Sequence, residues 1–269
     1  LPQNFRNTEQ LIPLLEALVN EGRLGDAKEI LLAYINKMNG SNILYGKGKS
    51  LLPKILGEDF EAKYRFLKCT GPSSSALKLI KIDAVEFISE VRRRVESGRY
   101  EKNDLESLSQ VVLEELSSLP SDGVPPEILA ALFEKGSKAY PKEGDFFERL
   151  GDCRCYAKEY GKAVPAYQEV LRLRKKNGKK KSNMMMQVAS RAFEGPTVST
   201  EKEKGLDLNQ PVLAKMAYAY LAEGREADAV KAVEQFLIDF PGAENITEAS
   251  VAYKLLKMDE RILPLKRTL

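Results

Sequence analysis

Apolar residues recur at helical spacing along most of the chain, and the clearest such pattern lies between Gly144 and Leu171. It divides into two amphipathic stripes around a short break near Lys158, which predicts two consecutive helices. Gly151 lies on the first predicted helix and Ala163 on the second, and neither carries a bulky side chain. The pattern therefore predicts a closely packed antiparallel hairpin, which needs further helices stacked on both sides to bury its apolar faces.

The same periodicity predicts helices elsewhere, while the alternating Val, Ile and Thr pattern of strands is almost absent. The predicted helical segments are a hairpin over Thr8 to Lys37 with a break at Gly22, one or two short helices within Leu51 to Lys68, single helices over Ala76 to Val95, Leu105 to Leu116 and Glu127 to Tyr140, and a capping helix over Glu248 to Met258. The predicted fold class is all-α, an α-solenoid of stacked helical hairpins.

Two segments are expected to divide the chain. Leu119 to Pro126 holds three prolines and a glycine, which cannot continue a helix. We therefore predict an N-terminal helical region over residues 1–119 and a second helical region over residues 126–269. Residues 177–210 are too long for an ordinary helix connection. They are predicted to form an insertion with a short helix at Met184 to Phe193 and a mobile polar end.

Two small residues twelve positions apart, with aromatic residues near them, recur within two stretches of the C-terminal half. In the first stretch the residues of this pattern are Phe147, Leu150, Gly151, Tyr160, Ala163 and Tyr167. In the second, over Pro211 to Pro241, they are Ala217, Tyr220, Gly224, Ala229, Phe236 and Pro241. A weaker third set near the N-terminus comprises Leu15, Leu18, Gly22, Leu24, Ala27 and Leu31. The pattern resembles the tetratricopeptide repeat (TPR), a helical hairpin of about 34 residues.

The resemblance extends best over residues 144–243 and more weakly over residues 8–40. It departs from the family at Arg154, where Tyr is preferred, and at Lys158, where Gly is preferred. The resemblance implies TPR-like hairpins in which the first helix of each repeat lines a concave groove. It also implies a non-catalytic scaffold that binds one or more proteins within a larger complex.

Three acidic residues on the first helix of the central repeat are candidate partner-binding residues. Asp145, Glu148 and Asp152 are spaced at i, i+3 and i+7, so they lie on one helix face. The resemblance places this face in the groove, and its charge predicts a basic rather than an acidic partner segment. The alternative is an ordinary solvated helix face.

A second candidate surface is the basic stretch that follows the central repeat. Its basic residues are Arg172, Arg174, Lys175, Lys176, Lys179, Lys180 and Lys181. Contact with RNA phosphates would make the alternative function that of an RNA-associated helical-repeat protein. The other interpretation is a solvated helix end whose positive charges are favoured by the helix dipole. The formal net charge is only +3, from 42 basic and 39 acidic residues, so no global field attracts nucleic acid.

The composition argues against catalysis, metal binding and a membrane span. The chain has no histidine, the commonest general base, and only three cysteines. Cys153 and Cys155 are two residues apart on a helix, which directs them to different sides, and Cys69 is distant in the sequence. No apolar run approaches the roughly 20 residues that span a bilayer. We therefore predict no enzyme activity, no metal site, no cofactor, and free thiols in a reducing compartment inside the cell, either the cytoplasm or an organelle.

One short motif suggests a nucleotide site. Gly46 to Ser50 resembles the end of a phosphate-binding loop, which ends in Gly-Lys-Ser or Gly-Lys-Thr. However, Ile43 stands where that loop requires glycine, and no strand precedes it. A flexible basic turn within the turn-rich segment Asn39 to Lys49 is the favoured interpretation.

A second short motif, Asn245 to Thr247, fits the glycosylation acceptor pattern. Such triplets arise often by chance. Thr247 precedes a helical pattern, so it is expected to cap the last helix instead.

Overall fold

A computed structural model describes residues 8–37, 46–70, 72, 74–116, 124–177 and 206–262 of the chain. These residues form thirteen α-helices and one short 3-10 helix, without a strand. The predicted fold class, an all-α arrangement of helical hairpins, is confirmed. The described residues fall into two compact units, one ending at Val124 and the other beginning at Pro125. None of the described helices is long and apolar enough to cross a membrane.

The first unit contains seven helices. They are α1 (Thr8–Asn20), α2 (Leu24–Lys37), α3 (Gly46–Leu56), α4 (Phe60–Thr70), α5 (Ser74–Leu79), α6 (Ala84–Glu96) and α7 (Lys102–Glu115). The predicted N-terminal hairpin is formed by α1 and α2, which pack against α3 and α4. Helix α7 packs against α4, α5 and α6. A buried hydrogen bond of 2.8 Å from the Tyr64 hydroxyl to Asp104 joins α4 to α7.

The second unit contains the central repeat and the helices stacked on it. They are α8 (Pro126–Ala139), α9 (Gly144–Tyr156), α10 (Tyr160–Asn177), α11 (Val212–Ala222), α12 (Glu226–Asp239), α13 (Ala243–Leu255) and a 3-10 turn (Asp259–Arg261). Helix α9 packs between α8 and α10, and α11 packs against α10, α12 and α13. Because neighbours surround α11, almost every residue of this helix is buried.

Both departures from the TPR pattern in the central repeat have a physical explanation. Lys158 has a φ of 59°, the left-handed conformation that glycine adopts most easily, and Gly224 has a φ of 73° at the matching turn. The hairpin turn therefore keeps its geometry with lysine in place of glycine. Arg154 donates to Glu134 of α8 over 3.0 Å and also pairs with Glu159. It thus replaces an apolar contact with an ionic link between α8 and α9.

The helix predicted over Ala76 to Val95 is wrong, because the structure divides it into α5 and α6. Lys81 has a φ of 54°, which a continuous helix cannot contain. Asp83 then caps α6, since its side chain accepts a hydrogen bond of 2.8 Å from the Val85 amide. The left-handed Lys81 and the cap at Asp83 therefore separate α5 from α6, although the apolar spacing alone suggested one helix.

The basic turn predicted at Gly46 to Ser50 is also wrong, because these residues form the first turns of α3. Helix α3 continues through Pro53, as α1 and α10 continue through Pro13 and Pro165. The apolar residues that follow are buried: Leu51, Leu52, Ile55 and Leu56. Burial of this apolar face offsets the loss of one backbone hydrogen bond at the proline.

The predicted insertion is described only in part. Residues 178–205, including the helix expected at Met184 to Phe193, lie outside the described residues. The polar stretch 194–210 at the end of the insertion was expected to be mobile, but Leu206 and Leu208 are only 6% and 7% exposed. For residues 206–210 this expectation is therefore wrong, because the two leucines hold them against the unit; for residues 194–205 it stays a prediction.

The expected cap at Thr247 is wrong, because α13 begins earlier, at Ala243, with Gly242 as its N-cap residue. Thr247 lies inside the helix and is exposed. Asn245, the acceptor of the possible glycosylation motif, is only 9% exposed. A glycan on this side chain is therefore not compatible with the folded unit.

The predicted close approach of α9 and α10 occurs at Gly151. A Cβ atom at this position would lie 2.5 Å from Cε1 of Tyr167, well inside the contact distance of two carbon atoms. Tyr167 is completely buried, and its hydroxyl is tied to Asp152 by a hydrogen bond of 2.9 Å. The ring cannot easily move away, so only glycine fits at this crossing.

We predict that Gly151→Ala lowers the free energy of unfolding by about 1 to 3 kcal/mol, the usual cost of overpacking a core. The gain in helix propensity of at most about 1 kcal/mol does not compensate for the clash. Urea denaturation followed by circular dichroism would measure the change.

Gly161→Ala is the matched control on the adjoining helix. Its Cβ would meet the carboxylate of Glu223, with Oε1 at 2.5 Å, which is the end of a flexible and partly exposed side chain. We expect a change within about 1 kcal/mol of the wild-type stability. Equal effects of the two substitutions would show that Tyr167 does not restrict this crossing.

Candidate interaction surface

The three acidic residues predicted to bind a partner do lie along one face of α9, but they differ in exposure. Asp145 is exposed, the Glu148 side chain is 17% exposed, and Asp152 has no exposed surface. Asp145, in the first turn of α9, therefore faces solvent, while Asp152 lies inside the second unit.

Asp152 belongs to a buried network of four charged residues. Nζ of Lys215, in α11, lies 2.8 Å from Glu148 and 3.2 Å from the Asp152 carboxylate. Arg149 donates to Asp152 over 2.5 Å and to Glu148 over 3.0 Å. The hydroxyl of Tyr167 donates to the remaining Asp152 oxygen over 2.9 Å. Two positive and two negative side chains therefore satisfy one another, which is the condition for burying them.

The pKa values of the two carboxyl groups are shifted in opposite directions. Burial alone would raise the pKa of Glu148, but the charges of Lys215 and Arg149 outweigh burial and lower it to about 2. At Asp152 burial raises the pKa despite the same two cations, and the negative charge of Glu148 raises it further. Glu148 is therefore the group that most firmly holds the negative charge opposite Lys215.

This geometry corrects the expected acidic groove at its centre. Asp152 cannot be reached by a partner, and Glu148 already contacts both cations of the network. The cation that the sequence analysis did not foresee here is Lys215, which is distant in sequence and belongs to the next repeat. One signal did point to it: Lys215 interrupts the otherwise apolar run of α11, where a buried lysine requires a carboxylate.

A second ionic contact extends this arrangement to α13. Glu248, only 5% exposed, accepts a hydrogen bond of 3.0 Å from the Leu213 amide at the beginning of α11. Arg174 of α10 lies 3.3 Å from the same carboxylate. Arg174 also contributes to the low pKa of Glu148. One line of charges thus links α9, α10, α11 and α13.

The buried charges occupy equivalent positions in three successive first helices. Just after each of these helices comes one left-handed residue: Lys158, Gly224 or Lys257. The buried charge lies the same number of residues before it in each case, at Arg149, Lys215 and Glu248. The three helices therefore share the position of a buried charged residue as well as an apolar pattern.

The basic stretch proposed to contact RNA is largely paired within the second unit where it is described. Arg172 pairs with Glu169, Arg174 with Glu248, and Lys175 with Asp239 over 2.8 Å. Lys176 is exposed, and Lys179, Lys180 and Lys181 lie outside the described residues. Acidic neighbours thus offset most of the positive charge at the end of α10, which leaves RNA contact as a prediction.

Three partly exposed tyrosines lie where α9, α10 and α11 meet. The rings of Tyr160 and Tyr218 make an edge-to-face contact, with centroids 6.1 Å apart. The hydroxyl of Tyr156 donates to the Leu206 carbonyl oxygen over 3.2 Å. Burial raises the pKa of both Tyr156 and Tyr218. We call Tyr156, Tyr160 and Tyr218 the tyrosine cluster.

The cysteines of α9 are buried between helices. Burial raises the pKa of Cys153 and raises that of Cys155 to about 12. Cys69 is partly exposed, and partial burial raises its pKa as well. Within the described ranges, no group of three or more cysteine or acidic side chains could hold a metal ion.

Comparisons with known proteins add little to this description. No protein-family model and no curated protein matches the sequence. Among solved structures, the chain is similar to the assembly chaperone of RpL4 (Acl4, residues 1–338), at 14% sequence identity and a TM-score of 0.33. The match covers 96% of this chain and 99% of the other. A likeness this distant assigns neither a family nor a function.

We predict that Lys215→Met lowers the free energy of unfolding of the second unit by about 3 to 5 kcal/mol, because it leaves a buried carboxylate without its counter-ion. Adding Glu148→Gln removes the unpaired charge and should restore part of the loss. Urea denaturation of the three proteins measures both changes.

Lys138→Met is the control, since Lys138 forms an exposed pair with Glu134 at 2.8 Å in the same unit. Its removal should change stability by at most about 1 kcal/mol. If Lys215→Met is as mild as this control, the buried network does not hold α9 against α11.

We also predict that one thiol, Cys69, reacts with a disulfide reagent such as Ellman's reagent at pH 8 in the native protein. Cys153 and Cys155 should react only after unfolding, because the thiolate is the reactive form and burial disfavours it. Counting released chromophore in native and urea-unfolded protein tests this. Rapid labelling of a Cys69→Ser variant under native conditions would contradict the burial of the other two thiols.

Proposed function

We propose that this chain is a non-catalytic scaffold of TPR-like type that binds another protein within a larger assembly. The observation that supports this proposal is the tyrosine cluster, presented by three helices that the buried charge network holds in place. Tyrosine is enriched at the energetic centres of protein interfaces, because its ring gives apolar contact area and its hydroxyl a hydrogen bond.

The rigidity of the helices behind the cluster favours the same function. Contacts from Gln168 to Tyr220, 3.1 Å long, and from Arg174 to Glu248 join α10 to its neighbours. A surface built on packed helices loses little conformational entropy on binding. Such preorganisation is what a scaffold needs to hold a partner in a defined orientation.

Asp145 is the acidic residue that we retain as a candidate contact for a basic partner segment. It is exposed at the beginning of α9, and its charge acts on the nearby Arg149. Glu148 and Asp152 act in this proposal through the position of α9, not by touching the partner. Salt should weaken a contact at Asp145 far more than one at the tyrosine cluster.

The test is affinity purification of the tagged full chain from its source cell, with and without nuclease and at low and high salt. We predict that a Tyr160→Ala, Tyr218→Ala double variant loses a nuclease-resistant protein partner by at least about tenfold, as expected when aromatic anchors are removed. Quantitative mass spectrometry of the bound proteins measures the loss.

Lys162→Ala is the control, because Lys162 is an exposed residue of α10 that pairs only with Glu159 among the described residues. It should retain the partner, and thermal unfolding should confirm that the tyrosine variant is folded. If nuclease removes all bound material, the RNA-associated alternative replaces the scaffold proposal.

A further inference from the structure

The segment Leu206–Gln210, directly ahead of α11, is packed although it forms no helix. Its burial alternates: Leu206 and Leu208 are 6% and 7% exposed, whereas Asp207 and Asn209 are exposed. A local turn shapes it, since the Asn209 amide donates to the Asp207 side chain over 2.9 Å and the Gln210 amide donates to the Asp207 carbonyl. The segment therefore presents two leucines to the second unit and its polar residues to solvent.

The segment lies along the helices that carry the tyrosine cluster. Two contacts show that α9 and α11 run in the same direction: Glu148 meets Lys215 near the helix beginnings, and Tyr160, just after α9, meets Tyr218 near the end of α11. The carbonyl of Leu206 is bound at Tyr156, the last residue of α9. The segment therefore runs from the end of α9 back to the beginning of α11.

Chain connectivity does not force the two leucines into this position. The connection between α10 and α11 spans residues 178–211, far more than is needed to join two neighbouring helices. Within the described residues, the only hydrogen bond from Leu206–Gln210 to another element is the one from Tyr156. The segment is thus held mainly by its two leucines, which a similar sequence from another molecule could replace.

We propose that the surface beneath Leu206 and Leu208 is a docking groove that the chain occupies with its own segment. The partner that fits is a protein segment with two leucine-like side chains on either side of one polar or acidic residue. Its backbone carbonyl would take the hydrogen bond from Tyr156. Binding of the partner and docking of Leu206–Gln210 then exclude each other. This inference rests on the proposed scaffold function and assigns its partner chemistry.

The test uses a fluorescein-labelled peptide with the chain's own sequence over residues 204–211 and the full-length protein. A Leu206→Ser, Leu208→Ser double variant should bind this peptide at least about tenfold more tightly than wild type does. The reason is that a tethered segment competes at an effective concentration in the millimolar range. Fluorescence anisotropy, measured up to millimolar protein, gives both affinities.

Two controls define the site. Asn209→Ser, at an exposed position of the same segment, should leave the groove occupied and bind the peptide as weakly as wild type. A peptide in which both leucines are serine should bind neither protein. Adding Tyr156→Phe to the double variant should weaken peptide binding, because the donor to the peptide carbonyl is lost.

The result that overturns the proposal is a folded double variant that binds no better than wild type. A milder Leu206→Ala, Leu208→Ala variant is made in parallel. If both double variants unfold, the leucines belong to the permanent core, and the proposal is equally wrong. The assay needs no cellular partner, so a co-purifying protein without peptide binding leaves the scaffold function standing and removes only the groove.

Discussion

Lys215 places a positive charge where the second unit has no contact with water, and removing an ammonium group from water costs several kcal/mol. Glu148 and Asp152 offset that cost only if their carboxylates lie within hydrogen-bonding distance of it. Since the carboxylates belong to α9 and the lysine to α11, the two helices are restricted to the register that brings them together. The position of α11 against α9, in the middle of the second unit, follows from this restriction.

Apolar packing alone would define that register poorly. Helix α11 is apolar on nearly all sides and buried on nearly all sides, so rotating it about its axis exchanges one apolar face for another. A buried ion pair often stabilises a fold no more than a well-packed apolar group does, but it penalises every arrangement that separates the charges. Gly151 allows α10 to approach α9 closely at Tyr167, whereas the charges define how α11 lies against α9.

The sequence predicted what depends on local pattern and missed what depends on contacts between repeats. The hairpin turns at Gly22 and Lys158 were predicted because apolar periodicity stops there, and Gly224 was part of the repeat pattern. The structure shows that all three residues have a positive φ. The sequence correctly placed three acidic residues on one face of α9, but the positive charge opposite them was expected to come from another protein. The true neighbour, Lys215, lies beyond an insertion, and no spacing rule relates residues so far apart.

The two ends of the α9 and α11 pair therefore serve different purposes. Near their beginnings, buried and mutually neutralising charges make a contact that cannot be exchanged without leaving a charge unpaired. Near their ends, the contacts come from partly exposed tyrosines and from two leucines of the segment Leu206–Gln210, and no buried charge takes part in them. The proposed scaffold function would use both kinds of contact in one place. The fixed end would keep the helices aligned while the occupant of the other end changes, so exchange of partners would not require the repeat itself to rearrange.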